Sequence, residues 1–279
     1  MVDDKVNNQK KENTENQNKI EAAKHITPLS NGEGEAALSA RRGGGAAGSL
    51  GTAGGASLLT TTYFGPIQWY QKLHRMPCIL EQYDHFVKQT YRNRCVIATA
   101  NGTQTLTVPI ERYDGTKCPM RDIRISDHGN WRHLHWNALV SAYGETPFFE
   151  FYADDLRSFF EKRHTFLFDL NLDIMHTMCQ LLDVRPQVTL SEHYIVLPSE
   201  DDDAVAANAA ALSADVLTDE SLANVIDFRE AIRPKHPLPD ADFNPTPYYQ
   251  VRAQRHGFLP NLSILDLLFN EGPEGIFYL

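Results

Sequence analysis

The sequence predicts an α/β fold in a single domain: a mixed sheet, a central helix covered on nearly all sides, and a helical C-terminal half. Three observations predict it. Short β-branched runs, LLTTT at 58–62 and TQTLTVPI at 103–110, are bounded by turn residues and read as strands. The stretch Ser126–Tyr143, SDHGNWRHLHWNALVSAY, sets two tryptophans, three histidines and an arginine on helical spacing. Two further helical patterns, Asp154–Lys162 and Phe166–Leu182, follow it, the second with Leu167, Leu170, Ile174, Met178 and Leu181 as an apolar stripe.

Taken in order, the chain begins with residues that cannot build a core. Residues 1–57 hold no aromatic side chain and pass from a Lys/Asn/Glu/Gln mixture to a Gly/Ala/Ser-rich run, so they are expected to be a disordered low-complexity tail. The literal G-x-G-x-x-G at Gly43–Gly48 has no strand before it and is set aside. The expected domain is 58–279. LLTTT runs into Tyr63-Phe64-Gly65-Pro66, a strand-to-helix turn with Pro66 at the helix start, and the helix covers Ile67–His74. A polar-aromatic turn at the carboxyl end of a strand is where open α/β sheets place ligands, which makes Tyr63 a candidate; ordinary aromatic packing is the alternative.

Cys78–Glu81 reads as a second strand. Tyr91–Thr99 reads as a third, joined through Asn101-Gly102 to its hairpin partner. On that third strand, alternation puts Arg92 and Arg94 on one face and Asn93 on the other. Two guanidinium groups on one face can grip a phosphate or carboxylate bidentately, with Lys88 nearby; they can equally be edge charges or partners for Glu81, Asp84 or Asp122. Met120–Ser126 alternates as a further strand, with Ile123 and Ile125 on one side. In the central helix Trp131, His135, Ala138, Leu139 and Ala142 share a face, which points His135 inward; Ser126 or Asp127 caps its start and Gly144 ends it. His133 and His135 diverge by about 200° on a helix, so no shared metal is expected, and no cofactor is assigned. His135 is then either a core histidine bonded to a neighbouring carbonyl or the titrating group of a site.

Residues 199–213, acidic and alanine-rich, read as a surface insertion; a Pro-rich extended stretch follows, and Asn261 or Ser263 caps a last helix that runs to Phe269. Charge is uneven. Residues 58–185 carry 14 basic and 14 acidic side chains, whereas 186–279 carry 5 against 15. That balance argues against nucleic acid as a partner, because phosphate backbones require a basic footprint. No apolar run reaches bilayer length, so no membrane span is expected. Four dispersed cysteines and no export signal lead to the expectation of a cytoplasmic protein with reduced thiols.

The blocks TTTYFGPIQWYQKL, EQYDHFVKQTYRNRCVI with LTVPI, IRISDHGNWRHLHWNALVSAYGETPFF, and YYQVRAQRHGFLPNLSILDLLFNEGP together resemble the WbqC-like protein family. Gly65 departs from the proline usual in the first block. The resemblance implies a role in surface-polysaccharide (O-antigen type) precursor biosynthesis. It implies a transferase, moving an acyl or aminoacyl group to a nucleotide-linked aminosugar, with a nucleotide-sugar or acyl donor as small-molecule partner. The resemblance carries over no catalytic residues; by their own chemistry His135 would be the general base, Tyr63 or Tyr143 would orient the substrate or stabilise an oxyanion, and Lys88, Arg92, Asn93 and Arg94 would hold phosphate. The alternative is a non-catalytic protein that binds a nucleotide-sugar or a partner of the same pathway. A third possibility makes His135 and the arginines a buried structural network.

Overall fold

The structure, a computed structural model, describes residues 55–197 and 224–279. The insertion expected at 199–213, and all but the last three residues of the expected tail, lie outside them.

Strand β1 (Ala56–Thr60) enters a tight turn and then helix α1 (Ile67–Arg75), which returns the chain to β2 (Cys78–Glu81) parallel to β1. Two three-residue strands complete this sheet: β5 (Val188–Leu190) beside β2 and β6 (Val225–Asp227) on the other flank of β1. The order β5-β2-β1-β6 is parallel throughout. Leu58, Leu59 and Thr60 are all buried, as expected where both faces of a parallel sheet are covered. The antiparallel component is a separate hairpin, β3 (Arg94–Thr99) with β4 (Gly102–Thr107), so the mixture of strand directions is divided between two sheets.

Helix α2 (Trp131–Tyr143) is followed by α3 (Phe149–Glu161) and α4 (Leu167–Leu181); the next α-helices among the described residues are the single turn α5 (Ala253–His256) and α6 (Ile264–Glu271). The face of α2 that the period selects is the one that packs inward: Trp131, His135, Leu139 and Ala142 are buried. Cover does not extend around the helix, because Leu134 and Val140 are exposed at 60% and 42%. Its start differs as well. Neither Ser126 nor Asp127 caps it; Asn130 stands before it in the left-handed region at φ 48°, and Trp131 instead donates its indole N–H to the Ser126 carbonyl. Gly144 does close the helix, donating its N–H to the Val140 carbonyl.

Met120–Ser126 is not a ladder strand. Met120–Asp122 is a 3-10 turn, and the extended remainder bonds through single bridges to Ile110 and Phe166. Alternation survives there, with Ile123 and Ile125 buried and Arg124 exposed. The C-terminal helix closes the fold against its first turn: Ile67 N–H donates to Leu262 O, Ile264 N–H to Gly65 O, and the Ser263 hydroxyl to Phe64 O at 2.7 Å. Ser263 also accepts from Leu265 N–H as the helix cap. No described helix is long and apolar enough to cross a membrane.

Candidate functional site

Strand β1 is where the sheet changes direction. From β1 the chain steps to β2 and β5 on one side, then returns to the opposite flank for β6. In open α/β sheets such a reversal opens a crevice outside the carboxyl ends of the strands, and ligands bind there. This edge is dense with buried polar groups.

Thr60 ends β1 and Thr61 and Thr62 follow it, while Glu81 ends β2 and Asp84 lies just beyond. Arg92, 1% exposed, directs its guanidinium to Asp84 and, at 2.9 Å, to Glu230, just beyond β6. Arg229 meets Asp227 at 2.7 Å and Glu81 at 3.6 Å. Glu81 is completely enclosed and accepts from Ser191 Oγ, Ile195 N–H and Tyr83 N–H. On α1, Lys72 is 1% exposed, pairs with Asp240 at 2.8 Å, and sits over the Phe228 ring at 4.6 Å. Asn171 of α4 ties the edge together, donating to Arg92 O at 2.8 Å and to Thr61 Oγ1 at 3.3 Å. Ions taken from water at this depth persist only when paired, and losing one partner of such a pair costs about 3–5 kcal/mol.

The turn after β1 carries the second part of the site. The Tyr63 hydroxyl lies 2.9 Å from His135 Nδ1, and both side chains are buried. Burial holds the Tyr63 phenol well above its usual range, a charged Cys95 would raise it further, and Arg132 counteracts only in part, so the phenol keeps its proton. Burial also lowers the His135 imidazole to about 4, against an opposing hydrogen bond with the Thr107 backbone. At neutral pH the ring is therefore uncharged, with Nδ1 accepting from Tyr63 and Nε2 carrying the hydrogen. Trp131 packs edge-on against the imidazole, with centroids 5.1 Å apart. Such an imidazole can take up a proton only if Tyr63 supplies it or moves aside.

The residues singled out in the sequence do not form one group. Tyr63 and His135 meet directly. Arg92 lies next to them through its backbone, since Tyr63 N–H donates to Tyr91 O, but its side chain turns to Asp84 and Glu230. Arg92 precedes β3, which begins at Arg94, so alternation does not place the two arginines on one strand face. Arg94 is half-buried and makes no ion pair among the described residues. Asn93 donates from its side chain to Val108 O, which fixes the strand entry. Lys88 is exposed and lines a surface depression with Glu111, Arg112 and Tyr113. Tyr143 is not bonded to His135; its hydroxyl accepts from Ala98 N–H at 3.1 Å.

Of the three carboxylates expected to neutralise Arg92 and Arg94, Asp84 bonds Arg92, Glu81 serves Arg229, and Asp122 is exposed. His133 lies on the solvent side of α2, bonded to Asn137, in a surface cavity of about 330 Å³ where Arg132 and Arg163 both hold Asp127.

Sequence reasoning missed Lys72, Asn171, Arg229, Glu230 and Asp240. One signal was available for Lys72: Ile67–Leu73 contains no residue that faces water, so the glutamines and the lysine of IQWYQKL must find partners inside. It also missed Asp266, which accepts from the Tyr248 hydroxyl at 2.5 Å and from Gln250 at 3.0 Å beneath α6.

Comparison with known proteins adds two matches. The model of the WbqC-like protein family matches residues 62–278. A protein of Mycobacterium tuberculosis that bears the name "Uncharacterized protein Rv1507c" is 28% identical over 195 residues, covering 70% of this chain and 83% of that one. No solved structure matches.

Proposed function

The chain belongs to the WbqC-like protein family, which is associated with polysaccharide biosynthesis, and from that premise we propose that it is a transferase of surface-polysaccharide precursors. It holds a nucleotide-linked aminosugar or its acyl donor at the carboxyl edge of the parallel sheet. The observation that carries the reading is the buried Arg92 guanidinium at the reversal point beside β1. An activated sugar brings a diphosphate, and guanidinium geometry matches phosphate oxygens.

Acyl or aminoacyl transfer to an amine forms a C–N bond, breaks the bond to the donor's leaving group and releases a proton. The Tyr63–His135 pair is the proton acceptor in this reading: the phenol takes the amine proton as it passes its own to Nδ1. Tyr143, Asn93, Arg94 and Lys88, which have other partners or surroundings, take no part in this step.

A thermal-shift screen against UDP-, dTDP- and GDP-sugars and acyl-CoA tests binding, because a ligand at one hundred times its Kd stabilises the fold by about 2.7 kcal/mol. With a substrate in hand, Arg92→Ala and His135→Ala are both expected to abolish turnover. Retention of full turnover by both variants would show the site to be misplaced.

The alternative, a non-catalytic nucleotide-sugar or partner-binding protein, is favoured by one observation: the Tyr63, His135 and Tyr143 polar atoms are already bonded inside the fold. It predicts stabilisation by the ligand without product.

A further inference from the structure

We propose that the Glu230 carboxylate occupies the place of the substrate's phosphate at Arg92, and that a phosphate or diphosphate binds by displacing it. The inference rests on the reading of the sheet edge as the binding crevice and adds how that crevice is held between substrates.

Arg92 has three side-chain partners, and they are unequal. Thr90 and Asp84 lie inside, Asp84 with its side chain 12% exposed; the Glu230 side chain is 42% exposed. Glu230 is therefore the cover on the guanidinium, and removing it opens a nearly inaccessible cation to solvent. A second guanidinium converges on the same carboxylate: Oε1 accepts from Arg92 and Oε2 from Arg233. Each oxygen of Glu230 accepts one of these bonds, while Nε of Arg92 and Nε of Arg233 are buried without a hydrogen-bond partner among the described residues.

Two arginines with spare buried donors converging on a single two-oxygen carboxylate describe a cradle for something richer in oxygen and charge. A phosphate offers three terminal oxygens and up to two charges, whereas a carboxylate offers two oxygens and one charge. Charge balance points the same way. Lys72, Arg92, Arg229 and Arg233 face Asp84, Asp227, Asp240, Glu81 and Glu230 along this edge, one carboxylate in excess, and withdrawal of Glu230 brings the two sides level and leaves Arg92 and Arg233 as the local attraction for an anion.

The test is titration calorimetry of the full chain and its Glu230→Gln variant with inorganic pyrophosphate, and with malonate as the carboxylate probe. Glu230→Gln is expected to bind pyrophosphate at least tenfold more tightly than the unmodified chain and to prefer it to malonate. Glu230→Asp, too short by one methylene to span both arginines, should shift affinity in the same direction and guards against a misfolded glutamine variant. Glu274→Gln, an equal charge change on a distant exposed residue, should alter affinity less than twofold.

Equal or weaker pyrophosphate binding by both Glu230 variants in folded protein overturns the proposal, as does a preference for malonate. If the unmodified chain converts a nucleotide-sugar while Glu230→Gln gains nothing, displacement fails and the transferase reading stands. If no nucleotide-sugar binds but Glu230→Gln captures pyrophosphate, the reverse holds.

Discussion

The hydroxyl of Tyr63 and Nδ1 of His135 are 2.9 Å apart and 72 residues apart in sequence. Each is the other's polar partner inside an apolar surround, so the pair is tied to stability as well as to any proton transfer. Tyr63→Phe would leave Nδ1 without its donor and should cost about 1–3 kcal/mol in urea unfolding.

The same histidine should make stability pH-dependent with a definite sign. Its folded pKa, about 4, lies below the unfolded value of 6.5, so between these the unfolded chain binds more protons. Stability from this group is therefore undiminished above pH 6.5 and falls as the pH drops towards 4, by roughly 3 kcal/mol in total. His135→Gln should remove that slope in denaturation midpoints measured from pH 7 to 4.

Asp266 should act in the opposite direction over the same range. Burial raises its carboxyl from 3.8 to about 6, and hydrogen bonds from Tyr248, Tyr143 and Gln250 offset this only in part. The folded state then binds the extra proton, so stability is greatest below the unfolded value and declines as the pH rises through 6. Asp266→Asn should gain on the unmodified protein by about 2–3 kcal/mol between pH 4 and pH 7. Because the two groups oppose each other, the unmodified protein should show a flatter profile than either variant.

Arg92→Met should cost about 3–5 kcal/mol, since Asp84 would remain buried without its cation. Asp84→Asn combined with Arg92→Met should recover part of that loss. A double-mutant cycle on unfolding free energies measures the coupling.

Gly65→Ala should destabilise although its backbone is not in the left-handed region. A Cβ there would sit 2.2 Å from Thr62 Oγ1 and 2.9 Å from Thr62 Cβ, so the buried turn between β1 and α1 would have to open. Overpacking of this kind costs about 1–3 kcal/mol and would appear as a lowered Tm. Any larger residue at this position would bring its Cβ against the same Thr62 atoms.

How much of this was legible in the sequence depended on how local each cause was. β1, α1, β2 and the hairpin follow from β-branched runs, Pro66 and Asn101-Gly102, all of which act within a few residues. The inward turn of His135 follows from helical period alone. The three-residue strands β5 and β6 carry too little pattern to be seen; their pairing with β2 and β1 comes from tertiary packing. Reading Arg92 and Arg94 by strand alternation failed because the chain is still turning at Arg92. The counter-charges were hidden by distance: Lys72 finds Asp240 168 residues away, and Arg92 finds Glu230 138 residues away. Nothing in the local sequence around Glu230 marks it as a partner of a strand that far upstream.

The clasp between Ser263 and Phe64, across 199 residues, bears on how the protein is made. The turn that carries Tyr63 is synthesised about 199 residues before the helix that holds its carbonyls. Contacts of such sequence separation form late and slowly, because loop closure must be completed before they contribute. A chain arrested or cleaved ahead of Asn261 would therefore contain Tyr63, Arg92 and His135 yet lack the element that holds the turn, so the candidate site is complete only once that helix has been made.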